Sequence, residues 1–145
     1  MGDDDPGSDD MSKALERAQA AVAALARDYV KWAQADIAAC QHHLDQARIA
    51  PDQRDLHLQE LYGIAHNIKG QGSAFGFPLM TRIGQSLCQF TRERHGYGEE
   101  HLALIARHLQ ALRQVLDNDL RGDGDATARD LAAGLETEVA AAKTA

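Results

Sequence analysis

From Ser12 to Leu116 apolar residues return every three or four positions, and this period decides what the chain can fold into. The first series is Leu15, Ala18, Val22, Leu25, Tyr29 and Trp32, continued by Ile37, Cys40, Leu44 and Ala47. A three-then-four spacing places these side chains on one side of a helix with 3.6 residues per turn. No run alternates apolar and polar residues with Val, Ile or Thr enrichment, and only 3 prolines interrupt the chain. The predicted class is therefore all-α. The first series exceeds an ordinary globular helix, so it is either one long helix or two, with any break near Asp28 to Ala35.

Pro51 and Asp52 end that run. A second stripe follows at Leu58, Leu61, Ala65, Ile68, Gly72 and Phe75, with its helix expected to end at Gly76. Pro78 suits the first turn of a third helix, whose stripe is Leu79, Met80, Ile83, Leu87 and Phe90 and whose stop is the His95-Gly96-Tyr97-Gly98 turn. Glu99 and Glu100 favour the start of a fourth, carrying Leu102, Ile105, Leu109, Leu112 and Leu116 before Gly122. A thinner stripe, Leu131, Leu135 and Val139, marks either a packed fifth helix or a loosely attached tail.

Such stripes joined by short turns bury their faces most simply as an antiparallel four-helix bundle, here with an additional N-terminal helical extension and a C-terminal helix. The expected organisation is a disordered acidic tail over residues 1–11, a bundle over 12–122 and a C-terminal helical extension over 123–145. The tail expectation rests on MGDDDPGSDD, which holds five Asp, two Gly and a Pro and nothing apolar beyond Met1.

Charge and composition narrow the function. With 15 Lys plus Arg against 22 Asp plus Glu, the formal charge of −7 argues against nucleic acid as a partner. No apolar run approaches the roughly 20 residues that cross a bilayer, and the acidic N-terminus is unlike a signal peptide, so a cytoplasmic protein without membrane contact is expected. Two cysteines, Cys40 and Cys88, without C-x-x-C spacing suit a reducing compartment.

Several chemistries lack their residues. A carboxylate-bridged di-metal bundle needs Glu-x-x-His pairs, and none of the seven histidines has a Glu three residues before it. His101 and His108 lie two turns apart on one helix, but ordinary surface histidines explain them more simply. G-x-S-x-G is absent, and Cys88 has no base beside it in sequence. Gly70-Gln71-Gly72 lies within a helical stripe and lacks the strand and G-K-[ST] ending of a phosphate loop. No cofactor of its own and no metal is expected.

The segment Ala65 to Phe77, AHNIKGQGSAFGF, is different. At about 100° per residue His66 lies roughly 130° from the centre of the buried stripe and should face solvent. Gly63 and Gly70 flank it at i−3 and i+4, although glycine inside a helix costs about 1 kcal/mol relative to alanine. Each alone is unremarkable: a surface histidine, two packing glycines, a solubilising Lys69. Together on one face they imply that something approaches the imidazole closely, with Lys69 one turn on to stabilise negative charge placed there.

His66-Asn67-Ile68-Lys69-Gly70, continued by Gly72, Ser73, Ala74, Phe75 and Gly76 and then by Leu79, Ile83 and Gly84, closely resembles the H-x-x-K-G signature of histidine-containing phosphotransfer (HPt) domains. Elsewhere the likeness is one of helical layout. The resemblance implies a phosphorelay intermediate in a two-component system. His66 would accept a phosphoryl group from a receiver-domain aspartate and pass it to another receiver, with Lys69 its electrostatic partner and Gly70 its clearance. It would be a phosphoryl carrier without ATPase or kinase activity of its own. Implied partners are receiver domains of response regulators or hybrid histidine kinases, with Mg²⁺ expected on the receiver, and the chain itself is expected to be a monomer.

Tyr62, Gly63, Ser73, Phe77, Met80 and Cys88 are the expected partner-binding residues, with Tyr62, Phe77 and Met80 as an exposed apolar rim. Many family members carry Gln or Glu 22 residues after the histidine to hold the ring. Here that position is Cys88, a poor acceptor, with Gln85 and Gln89 as nearby substitutes. The alternative function is a non-phosphorylated HPt-like adaptor that binds and inhibits a receiver or histidine kinase.

Overall fold

A computed structural model describes residues 6–92, 94–121 and 126–144, with side chains described for 7–92, 94–121 and 126–142. The elements are α1 (Pro6–Ile49), a 3₁₀ turn (Pro51–Gln53), α2 (Arg54–Gln71), a second 3₁₀ turn (Ser73–Phe75), α3 (Pro78–Thr91), α4 (Glu99–Asp117) and α5 (Ala126–Thr144). The all-α expectation holds. α1 packs on α2 and α4, α3 closes the ring against the same two helices, and α5 lies across α3 and α4. Successive helices of the ring are joined by short connections, which makes neighbours antiparallel.

The helical period fills one core. Ile37, Cys40 and Leu44 of α1 meet Leu58, Leu61, Ala65 and Ile68 of α2, Leu79, Met80, Ile83 and Leu87 of α3, and Leu102, Ile105, Leu109 and Leu112 of α4, all at most 2% exposed. α5 is a packed helix, burying Ala128, Ala132, Leu135 and Val139. Its outer edge is tied down by Arg82 to Glu136 at 2.6 Å and Arg107 to Glu138 at 2.9 Å. Leu131, expected on the buried stripe, is instead 37% exposed.

α1 is a single helix without the break considered near Asp28 to Ala35. It also begins at Pro6, inside the stretch expected to be a disordered tail, and residues 7–23 are exposed throughout. Residues 1–5 and the boundary near Gly122 lie outside the described residues.

Two helices end before their expected stops at Gly76 and at the His95–Gly98 turn. α2 stops at Gln71 because the chain turns back: the Phe77 N–H reaches the Gly72 carbonyl at 2.9 Å, and Gly76 takes φ +88, a conformation that favours glycine. α3 stops at Thr91 because buried Tyr97 folds the following loop onto Phe90, its hydroxyl donating to the Thr91 carbonyl at 3.3 Å. Arg54 fastens the same end of the bundle. Its guanidinium donates to the carbonyls of Ala47 and Tyr97, each at 2.9 Å, so one side chain joins the end of α1 to the α3–α4 loop.

Candidate functional site

The buried stripe of α2 sets the direction of everything else on that helix. With Leu61, Ala65 and Ile68 fixed in the core, His66, Asn67, Gly63 and Gly70 are turned to solvent. A Cβ built on Gly63 or on Gly70 would meet nothing within 4 Å. Among the described residues neither glycine serves a close approach of two segments, so the helix carries two destabilising residues beside an exposed imidazole with no packing reason there.

Gly72 and Gly84 are glycines of the opposite kind. A Cβ at Gly72 would lie 2.7 Å from Thr81 Oγ1 and 2.9 Å from Met80 Cβ, so its absence allows the α2–α3 corner to close. The corner is locked by Thr81 Oγ1, which accepts from the Ser73 backbone N–H at 2.8 Å and from the Ser73 hydroxyl at 3.0 Å. At Gly84 a Cβ would lie 3.0 Å from the Lys69 amide nitrogen. α3 thus runs directly under the turn of α2 that follows His66, and half-buried Lys69 is held from below by this contact.

Among the described residues the His66 imidazole makes no hydrogen bond; its ring neighbour is Tyr62, with centroids 6.2 Å apart. Half-buried Tyr62 also lines a groove of about 540 Å³ between α2 and the end of α3, together with Leu56, Gln59, Arg92 and Arg94. The face around His66 is therefore open on both glycine sides and bordered by an aromatic ring and a lysine.

The expected apolar rim is corrected in two places. Phe77 and Met80 are both 0% exposed. Phe77 packs against Tyr29, with centroids 5.6 Å apart, and lies under the Arg121 guanidinium, 4.7 Å from its ring centroid. They are core residues beneath the corner, because the tight Gly72 turn folds them inward. Tyr62 alone of the three remains accessible, and Ser73 is exposed.

Cys88 is also buried, at 5% exposure. Burial pushes its thiol pKa up while neighbouring Lys69 pulls it down, so the two side chains share one environment. Of the two glutamines near this position, Gln89 is exposed, while Gln85 has its side-chain oxygen buried without a hydrogen-bond partner among the described residues. The wheel, which turns Gln85 away from the direction of Cys88, does not foresee a buried side-chain oxygen there, since the phase of Gln85 is that of the outer face of α3. Thr81 was missed altogether, because a threonine in a first turn carries no signal that its hydroxyl closes a corner.

Among the described residues no group of three or more His, Cys, Asp or Glu side chains could hold a metal ion, and no helix is long and apolar enough to cross a membrane. A protein-family model described as Hpt domain matches residues 8–119. No curated protein and no solved structure matches the chain.

Proposed function

Because the chain belongs to the Hpt domain family, the histidine phosphotransfer modules of two-component phosphorelays, we propose that His66 carries the phosphoryl group. The observation that supports this most is the empty space over Gly63 and Gly70 on either side of an exposed imidazole. A receiver aspartyl phosphate must bring its phosphorus to about 3 Å from the ring nitrogen before transfer, and side chains at either glycine would stand in its path.

The chemistry asked of this chain is small. The ring nitrogen that holds a lone pair attacks phosphorus, the P–N bond forms as the aspartyl P–O bond breaks, and the carboxylate leaves on the receiver. The other ring nitrogen keeps its proton through the step. Lys69, one turn along the same helix, can bring its charge to the phosphoryl oxygens. Mg²⁺ belongs to the receiver in this scheme, where it neutralises the acyl phosphate.

The docking surface is the α2 face with its corner. Tyr62, Gly63, Gly70 and Ser73 meet the receiver, while Phe77, Met80 and Cys88 support that surface from below. Receivers of response regulators or of hybrid kinases are the partners. The test is incubation with phosphorylated receivers, followed by assay for acid-labile, alkali-stable label on this chain. Wild type takes up label and His66→Gln does not; equal labelling of the two overturns the proposal.

A second reading, a receiver-binding adaptor that is not phosphorylated, is favoured by one observation, the lack of any hydrogen bond to the His66 ring among the described residues. Receiver binding by wild type without label in the same assay is the result that this reading requires.

A further inference from the structure

α1 is much longer than the bundle that it serves. Its 44 residues extend about 66 Å at 1.5 Å per residue, whereas α2, with 18, extends about 27 Å. The excess is at the N-terminal end, where residues 7–23 are exposed on all sides. This overhang is not polar all round. Met11 is 74% exposed, Leu15 59%, Val22 66% and Leu25 49%.

These residues form a seam. Met11, Leu15, Ala18, Val22, Leu25, Tyr29 and Trp32 are separated by four, three, four, three, four and three residues, the 3.5-residue period by which one helix packs against another. On a straight helix Met11, Leu15, Ala18, Val22 and Leu25 all lie within roughly 40° of Tyr29. Tyr29 is 1% exposed and stacks on Phe75 with ring centroids 5.0 Å apart. The stripe that α1 buries in its own bundle thus continues outward past the bundle with no neighbour among the described residues to cover it.

We infer that a second copy of this chain covers it, the two overhangs packing as a helix pair. The charge pattern selects this occupant. Asp9, Asp10, Lys13, Glu16 and Arg17 lie roughly 100° or more from the seam, so none would face its own duplicate across it. The flanks of the seam, within about 80° of it, are Ala14 and Ala21 on one side and Gln19 on the other. They are small or uncharged, which permits close approach of an identical helix and offers a foreign charged helix nothing to pair with.

The area is marginal for a stable pair. Four large apolar side chains at about 100 Å² each, with the alanines between them, bury on the order of 500 Å² per copy. A total of roughly 1,000 Å² is the lower limit of specific interfaces, so a reversible, concentration-dependent dimer is expected. Residues 62–73 of the candidate site are not part of this surface, and the inference stands independently of the phosphotransfer reading. It departs from the sequence expectation of a monomer, which gave the N-terminal helical extension no partner.

Sedimentation equilibrium of the full chain from about 1 to about 500 μM tests it. Wild type should approach twice its monomer mass as concentration rises. The double variant Leu15→Lys/Val22→Lys should remain at monomer mass throughout. Ala20→Lys, on the opposite side of the same helix, should behave as wild type. Melting of the bundle at the lowest concentration, where the monomer dominates, is a control expected to be alike in all three, since none of these residues is buried in the monomer. Wild type at monomer mass over the whole range, or a double variant that associates as wild type does, overturns the inference.

Discussion

The backbone of Lys69 lies against Gly84: a Cβ on the glycine would sit 3.0 Å from the Lys69 nitrogen and 3.1 Å from its Cα. This contact joins α3 to the turn of α2 just after His66, so how closely α3 can approach that turn depends on a missing methyl group at Gly84. Gly84→Ala should push the helices apart there and lower stability by about 1–3 kcal/mol. Urea unfolding measures it, and a variant as stable as wild type would mean that the seam yields without cost.

Gly70 and Gly72, two residues apart, should respond in opposite directions to the same substitution. Gly70→Ala places a methyl in open space and should raise stability by up to about 1 kcal/mol through helix propensity alone. Gly72→Ala places one under 3 Å from Thr81 and Met80 and should lower it by about 1–3 kcal/mol. Paired thermal melts decide this; a stabilised Gly72→Ala would show that the corner is looser than its geometry.

Removing bulk and removing charge should separate at the site. Gly70→Leu should weaken receiver binding more than Lys69→Ala, because it blocks approach, whereas loss of the lysine should slow transfer while leaving access open. Titration of a receiver against each variant, with transfer rates alongside, is the comparison. Equal receiver affinity for Gly70→Leu and wild type would remove the clearance argument.

Cys88→Gln carries a structural cost. At 5% exposure beside the Lys69–Gly84 seam there is no room for a longer side chain, so the variant should melt lower than wild type, by an amount equivalent to about 1–3 kcal/mol. Unchanged melting with faster transfer would show instead that the glutamine reaches His66 from this position.

Acid should destabilise the bundle through two histidines. His108 is fully buried, its Nδ1–H donating to the Leu104 carbonyl at 2.8 Å, which leaves Nε2 to accept from the Ser86 hydroxyl at 2.9 Å. Burial lowers its pKa, partly opposed by the Leu104 bond and by Glu138, and Arg107 adds to the lowering. His43, 3.1 Å from His57 between the Nδ1 atoms, is lowered by burial, then by His57 and His42, against Glu60. Both folded pKa values lie below the unfolded value of about 6.5, so the unfolded chain takes up protons first. Stability should be complete above that pH and decline as pH falls through it, seen as a lower melting temperature at about pH 5.5 than at about pH 7.5. A flat profile would contradict the neutral, hydrogen-bonded state of His108.

Much of this was legible from period alone. The stripes of α3 and α4 named core residues that are buried, and the phase of α2 placed His66, Gly63 and Gly70 outward without reference to any other helix. What escaped depends on contacts between segments. Phe77 reads as a docking residue because a wheel does not show that Gly72 folds the corner inward over it, whereas Met80 already stands on the α3 stripe and its place on the rim conflicts with that phase. The buried side of Cys88 follows from where α2 crosses α3, and that crossing is set by Gly84. The helix from Pro6 escaped because an acidic, Gly- and Pro-containing segment resembles a tail until it is seen as the first turn of a helix held from the bundle.

The central claim is that one histidine of seven, His66, takes the phosphoryl group. Tandem mass spectrometry of this chain after transfer from a phosphorylated receiver, digested under alkaline conditions that keep phosphohistidine intact, tests it most directly. The account predicts phosphate on the peptide containing His66 and its disappearance in His66→Gln, a surface substitution that should change stability by less than about 0.5 kcal/mol. Phosphate on a peptide containing His42, His43, His57, His95, His101 or His108, with His66 unmodified, would contradict it.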